Sequence, residues 1–146
     1  MDAIARQHGL YFEDLDVGMT ASHAKIVTEA DIMNFAEISG DFNPVHIDPD
    51  YAAKSIFKER IAHGILSAAL LSAVFGMKLP GPGCIYVSQT LNFRAPVKIG
   101  DEVEARVEVQ ELIEAKRRAI FACECVVGET VVLEGEAVML LPRRPD

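Results

Sequence analysis

One stretch of the chain decides the fold, because as a helix it would be apolar on nearly every side: Gly64-Ile65-Leu66-Ser67-Ala68-Ala69-Leu70-Leu71-Ser72-Ala73-Val74-Phe75-Gly76-Met77. A helix with such a surface has to be buried. The segment is shorter than the roughly 20 residues that a membrane span needs, so a sheet of the same protein should cover it. The following Pro80-Gly81-Pro82-Gly83 is expected to end the helix.

After Gly83 the chain shows the alternation of apolar and polar residues that is typical of strands. The alternation covers residues 85–93 and 103–110. Two further strands, 119–127 and 130–141, are joined by a hairpin signal at Gly128-Glu129. The sequence therefore predicts a meander of about four long antiparallel strands. With the apolar helix, this predicts an α+β fold in which a curved antiparallel sheet wraps around one central helix.

The first half of the chain is predicted to hold one short strand and several helices. Residues 21–27 fit the strand, and Thr28 is a candidate N-cap of a helix that ends at Gly40. Asp48-Pro49-Asp50 should open a second, short helix. Residues 1–11 are candidates for a disordered extension. The whole chain of 146 residues is predicted to form a single domain.

The segment Ser39-Gly40-Asp41-Phe42-Asn43-Pro44-Val45-His46-Ile47-Asp48 places a carboxylate and an imidazole five residues apart. Gly40 frees the backbone and Pro44 restricts the residue before it, so we expect a non-helical loop. In such a loop Asp41 and His46 can converge and carry out acid–base chemistry. The same residue types are good turn formers, so this segment alone leaves a purely structural role equally open.

Composition narrows the class of function. The net charge of −8 argues against nucleic-acid binding through a global positive field. The chain has no apolar run long enough for a membrane span and no signal-peptide layout at its start, so no membrane association and a cytoplasmic location are expected. Two of the three cysteines are separated by one residue, which predicts neither a disulfide framework nor a zinc site.

Three motifs, in order, resemble those of the MaoC-like (R)-specific enoyl-CoA hydratases. They are the segment 39–48, then Ile61-Ala62-His63-Gly64-Ile65-Leu66, then residues 86–97 followed by Gly100-Asp101. The resemblance spans residues 12–141. It implies a hot-dog fold and a homodimer whose acyl-CoA sites lie near the subunit interface. The chain's own pattern agrees, since a single copy would leave sheet edges and one end of the helix under-covered.

The resemblance also implies roles for individual residues. In the family the aspartate and histidine of the first motif hold and activate a water molecule, which implies Asp41 and His46 here. The backbone N–H of Gly64 would receive the thioester oxygen, and Ser72, further along the helix, would support the catalytic pair. The implied reaction is hydration of trans-2-enoyl-CoA to (R)-3-hydroxyacyl-CoA, or the reverse dehydration. No metal or redox cofactor is expected, because the thioester itself makes C3 electrophilic and coenzyme A enters with the substrate.

Several alternatives stay open at the level of sequence. His63 could be a third catalytic group, although a capping or packing role is favoured at a helix start. Ser67 and Ser72 lie among apolar helix residues, where a hydroxyl commonly bonds to the carbonyl four residues back, and only the resemblance favours a functional Ser72. Hot-dog folds also support thioester hydrolysis, and a non-catalytic acyl-CoA-binding subunit is a third possibility.

Overall fold

Residues 8–146, which the computed structural model describes, form four α-helices and six strands. The helices are α1 (Glu29–Ser39), α2 (Pro44–Ile47), α3 (Pro49–Ala53) and α4 (Gly64–Met77). The strands are β1 (Thr20–Ile26), β2 (Ile85–Gln89), β3 (Asn92–Phe93), β4 (Glu102–Ile113), β5 (Arg118–Val127) and β6 (Thr130–Leu140). Among these described residues, none of the helices is both long and apolar enough to cross a membrane.

Helix α4 lies against one face of the antiparallel sheet and packs on β1, β4, β5 and β6. Its sheet-facing side consists of Leu70, Leu71, Val74 and Phe75, each at most 8% exposed. The ring of Phe75 meets the ring of Phe121 on β5 edge-on, with centroids 5.0 Å apart. This is the α+β hot-dog arrangement expected from the sequence, in which the sheet wraps around one apolar helix.

Strands β4, β5 and β6 form the expected meander. The predicted alternation of β4 is confirmed, since its core-facing residues are at most 2% exposed: Val103, Ala105, Val107 and Val109. The β5–β6 hairpin turns at Gly128, whose φ of 60° lies in the left-handed region that favours glycine. Cys123 and Cys125 are free thiols buried on β5.

The prediction of one long meander strand over residues 85–93 is wrong in two respects. Residues 85–93 are divided into β2 and β3, and both pair with β6, so that the sheet order is β1-β4-β5-β6-β2. The division lies where the chain crosses β6 closely, because a Cβ on Gly135 would lie 1.8 Å from the carbonyl oxygen of Thr90. Ile85 and Val87 are 58% and 40% exposed, so β2 does not show the core-facing alternation of β4.

Helix α1 begins and ends as the sequence predicts. The N–H of Asp31 donates to Thr28 Oγ1 at 3.1 Å, and the N–H of Thr28 donates to an oxygen of Asp31 at 2.9 Å, forming a capping box. The helix stops at Gly40, which has a φ of 80°. This places the functional segment 39–48 directly after a helix whose Ile32 and Ala36 are fully buried.

The expectation that segment 39–48 is non-helical is wrong for its second half, because α2 is a single helical turn. Pro44 disfavours the α region only for the residue before it, and Asn43 has an extended ψ of 124°. Proline itself fits the first position of a helix, where no N–H partner is needed. The Asn43 side chain accepts a hydrogen bond from the N–H of Val45, which completes the cap.

The proposed disordered extension at residues 1–11 is wrong for residues 8–11, and residues 1–7 lie outside the described part. The N–H of Gly9 donates to the carbonyl of Pro82 at 2.6 Å. The N–H of Leu10 donates to the carbonyl of Pro80 at 2.8 Å. This segment is therefore bound to the loop that follows α4.

We expect the Phe75→Ala substitution to lower the free energy of unfolding by about 3–5 kcal/mol, because it leaves a cavity between α4 and the sheet. Urea denaturation followed by circular dichroism would measure the change. Ile56→Ala is the matched control, since Ile56 is 86% exposed, and should change stability by less than about 0.5 kcal/mol. Equal effects of the two substitutions would contradict the assignment of Phe75 to the core.

Candidate active site

The two predicted catalytic residues converge, and His63 joins them. Asp41, His46 and His63 each place one nitrogen or carboxylate oxygen within 4.8 Å of the others. The two imidazoles are buried, with exposures of 8% for His46 and 2% for His63, whereas Asp41 is exposed. The site therefore combines two sequestered imidazole rings with one carboxylate that solvent and substrate can reach.

The ring of His46 is held in one tautomer by the main chain. Its Nδ1 lies 2.8 Å from the carbonyl oxygen of Ile61. A carbonyl only accepts hydrogen bonds, so Nδ1 carries the proton and Nε2 keeps its lone pair. The backbone of His46 is held as well, because Arg60 Nε donates to its carbonyl at 2.7 Å and Arg60 also pairs with Glu29 at 2.9 Å.

The ring of His63 connects the start of α4 to the first motif. Its Nε2 donates to the carbonyl oxygen of Asp41 at 2.9 Å. The ring stacks on His46 with centroids 3.9 Å apart and an interplanar angle of 30°. His63 makes no side-chain capping bond to α4, so of the two structural roles weighed from the sequence, packing is confirmed and capping is wrong.

Asp41 is both a turn residue and a member of the cluster. Its N–H donates to Ser39 Oγ at 3.1 Å, and its Oδ1 accepts the N–H of Asn43 at 3.1 Å. These bonds are the turn chemistry that the sequence indicated. They fix the carboxylate beside the imidazoles, so the turn chemistry and the expected convergence of Asp41 with His46 occur together.

The surroundings of His46 favour its neutral form. Burial lowers the pKa of His46 from its ordinary value of 6.5. The hydrogen bond to Ile61 acts in the opposite direction, a positive charge on His63 would lower the pKa further, and the charge of Asp41 raises it. Because the net pKa shift is downward, His46 is a neutral base at pH 7.

Gly64 begins α4 next to this cluster. The first N–H groups of a helix have no intrahelical acceptor, and the helix dipole favours negative charge at this end. A Cβ on Gly64 would lie 2.6 Å from Cε1 of Phe93, so the close approach of the Phe93 ring requires glycine. The predicted oxyanion donor is thus placed at an open helix N-terminus beside the imidazoles.

A cleft of about 430 Å³ is lined by His46, Gly64 and Ser67, whereas Asp41 and His63 are not among its lining residues. The remaining lining residues, mostly apolar, are Phe57, Ile61, Ala62, Ile65, Phe93, Arg94, Ala95, Pro96, Val97, Val132 and Leu133. Sequence reasoning passed over Ser67, which is 3% exposed. Its spacing of three residues from Gly64 was the available signal, because such residues share one helix face.

Ser72 is not brought to this cleft within one chain. Its side chain lies on the exposed side of α4, and it is absent from the residues that line the cleft in the described part of the chain. The distance along α4 from Gly64 is about 12 Å at 1.5 Å per residue. Support of the catalytic pair by Ser72 stays a prediction.

Two histidines and a carboxylate are also potential metal ligands, and within residues 8–146 no other group of three or more such side chains is as close. Metal coordination needs lone pairs that converge on one point. The rings of His46 and His63 are stacked at 3.9 Å, so their in-plane lone pairs run side by side. This geometry fits a proton-transfer site better than a metal site. The absence of a metal stays a prediction.

Residues 14–132 match the family described as the MaoC like domain. The chain belongs to this family. The MaoC-like chain is 56% identical over 137 residues to the 3-hydroxybutyryl-CoA dehydratase of Methylorubrum extorquens, covering 94% of this chain and 87% of that one. It is 52% identical over 134 residues to the (R)-specific enoyl-CoA hydratase of Rhodospirillum rubrum, covering 92% of this chain and 93% of that one.

Solved structures agree with the family assignment. The MaoC-like chain superimposes on the unliganded R-hydratase PhaJ1 from Pseudomonas aeruginosa with a TM-score of 0.88 and 44% identity, covering 93% of this chain and 88% of that one. The (R)-hydratase from Aeromonas caviae involved in PHA biosynthesis gives a TM-score of 0.86 at 44% identity, covering 89% and 99% of the two chains. The hot-dog fold is thus shared along nearly the full length.

We expect His46 in this MaoC-like chain to titrate with a pKa below 6.5, and its neutral form to carry the proton on Nδ1. Nitrogen-15 NMR of the imidazole across pH 4–8 would measure both, with His46→Gln used to assign the resonance. Asp41→Asn should lower the pKa of His46 further, because the carboxylate favours the imidazolium. A pKa above 6.5, or a proton on Nε2, would contradict the geometry.

Proposed function

We propose that this protein adds water to trans-2-enoyl-CoA to give (R)-3-hydroxyacyl-CoA and catalyses the reverse dehydration. The observation that carries the proposal is the free Nε2 of a neutral His46, fixed by Ile61, beside Asp41 and the N-terminus of α4. The names of the relatives at 56% and 52% identity support the same reaction and its (R) stereochemistry.

The site supplies the groups that hydration needs. Water is held between the Asp41 carboxylate and the Nε2 of His46. The Nε2 atom accepts one proton from this water. The hydroxyl forms a bond to C3, and the electrons of the C2–C3 double bond move onto the thioester oxygen as an enolate. When C2 takes a proton from the imidazolium, the enolate collapses to the thioester and His46 is neutral again. One water molecule has then added across the double bond.

Gly64 stabilises the charge that develops in this step. The enolate oxygen carries more negative charge than the ground-state carbonyl, so a helix N–H aimed at it lowers the barrier more than it strengthens substrate binding. The apolar walls of the cleft exclude water from the acyl chain. We propose that no metal or redox cofactor takes part, since the thioester already activates C3. The cytoplasmic location expected from the sequence stays a prediction.

An assay with crotonyl-CoA and octenoyl-CoA would test the proposal by following the absorbance of the conjugated thioester and the release of free thiol. We expect loss of conjugation without thiol release, unaffected by EDTA, and an (R)-3-hydroxy product on a chiral column. Thiol release would instead indicate a thioesterase. Binding without either change would indicate a non-catalytic subunit.

Asp41→Asn and His46→Gln should each lower kcat by about 100-fold or more, the usual contribution of a positioned acid or base. Asp50→Asn is the matched control, since Asp50 is an exposed carboxylate in α3 outside the cluster, and should leave the rate unchanged. Full activity of either site variant would remove that residue from the mechanism.

We also propose that the protein is a homodimer. Strand β2 ends the sheet, and among the described strands it pairs only with β6. Apolar residues are exposed along this edge and on the neighbouring helix: Ile85 at 58%, Val87 at 40% and Ile65 at 51%. An exposed apolar edge strand favours pairing with another chain. A dimer through this face and α4 would place Ser72 at the interface.

Sedimentation equilibrium at micromolar concentration should give about twice the 16.0 kDa of one chain. The double substitution Ile85→Asp and Val87→Asp should produce a monomer, because it buries two carboxylates in the proposed interface. Ile56→Asp, at a position 86% exposed elsewhere, should remain dimeric. A monomeric wild-type protein, or a dimeric double variant, would rule out this interface.

A further inference from the structure

His63 has two contacts with the catalytic pair, and each goes to a different residue. Its Nε2–H donates to the main-chain carbonyl of Asp41 at 2.9 Å. Its ring lies against the ring of His46 at a centroid distance of 3.9 Å. Two nearby residues of the same segment are engaged at the same place, since Ile61 accepts the Nδ1–H of His46 and Gly64 opens α4.

Packing alone does not explain a histidine at this position. The residue is 2% exposed, and its Nδ1 is buried without a hydrogen-bond partner in the described part of the chain. A phenylalanine would fill a similar volume without burying an unpaired ring nitrogen. Native proteins retain few such groups, and those that remain commonly lie at functional sites.

We propose that His63 is a positioning residue that sets the relative placement of the Asp41 carboxylate and the His46 ring. The proposal rests on the hydration reaction proposed above. The hydrogen bond holds the backbone that carries the carboxylate, and the stacked ring limits rotation of His46 about its side-chain bonds. Since both contacts start from one rigid ring at the start of α4, the two groups that hold the water are positioned from the same point.

The same arrangement affects the charge of His46. The His63 ring covers part of His46 and so contributes to the burial that favours the neutral imidazole. A proton on His63 would also oppose a proton on His46, because the two rings are in contact. The charged groups facing the pair are Asp41 and, through the His46 carbonyl, Arg60 with its partner Glu29. His63 therefore acts on the geometry and on the protonation of the base.

Three substitutions separate the two contacts. His63→Gln keeps an N–H donor near the position of Nε2 but removes the ring. His63→Phe keeps a ring against His46 but removes the donor, and His63→Ala removes both. Val74→Ala is the matched control, because Val74 is fully buried in α4 and lies eleven residues along the chain from His63. Its loss of stability shows what destabilisation alone does to the rate.

We expect His63→Ala to lower kcat by about 10- to 100-fold with little change in KM, as for a catalytic group displaced by about an ångström. Gln and Phe should each recover part of this loss. The acidic limb of the pH dependence of kcat/KM should move to higher pH in all three variants, because each lacks the neighbouring imidazole, and further in Ala and Gln, which also uncover part of His46. Val74→Ala should lower the melting temperature and leave the pH dependence in place.

Two outcomes would overturn the proposal. A kcat for His63→Ala within twofold of wild type would show that the contacts do not matter. Complete loss of activity in all three variants at unchanged melting temperature would show that His63 itself touches the reacting atoms. If the wild-type protein does not hydrate enoyl-CoA, the proposed function fails separately, and the NMR titration of His46 in the His63 variants still decides whether His63 positions and shields that ring.

Discussion

Burial of α4 is the constraint on which the rest of the structure depends. The helix has 14 residues and no charged side chain, so it is stable only where other elements cover it. The sheet covers the side that carries Leu71 and Val74, which are completely buried. Because this packing fixes the helix along its length, it also fixes the position of Gly64 at the N-terminus. The open N–H groups that the proposed reaction needs are therefore a consequence of the core.

The predicted catalytic residues are positioned by reciprocal bonds between residues 41–46 and residues 60–63. The side chain of Arg60 donates to the carbonyl of His46, and the side chain of His63 donates to the carbonyl of Asp41. The side chain of His46 donates in return to the carbonyl of Ile61. Main-chain carbonyls only accept hydrogen bonds, so each bond fixes the place of a side chain and, for the two histidines, which ring nitrogen donates. Neither segment holds its functional groups in place without the other.

The parts of this design that depend on local periodicity could be predicted from the sequence, and the parts that depend on tertiary contacts could not. The helix α4, the alternation in β4 and the convergence of Asp41 with His46 follow from spacing and turn chemistry. The division of residues 85–93 depends on Gly135, which is distant in sequence but touches Thr90. The pattern around His63 indicates only a helix start, whereas its contacts with the first motif appear only in three dimensions.

The electrostatics of the site favour the charges that arise during the reaction over those present before it. Before the reaction His46 is buried and neutral, and the exposed carboxylate of Asp41 lies in the same cluster. In the proposed reaction, proton transfer from water turns His46 into a cation next to that carboxylate, while the enolate forms at the positive end of α4. The Asp41 carboxylate thus stabilises the imidazolium, and the N-terminus of α4 stabilises the enolate. Because these attractions arise only as the reaction proceeds, they lower its barrier without tightening substrate binding equally.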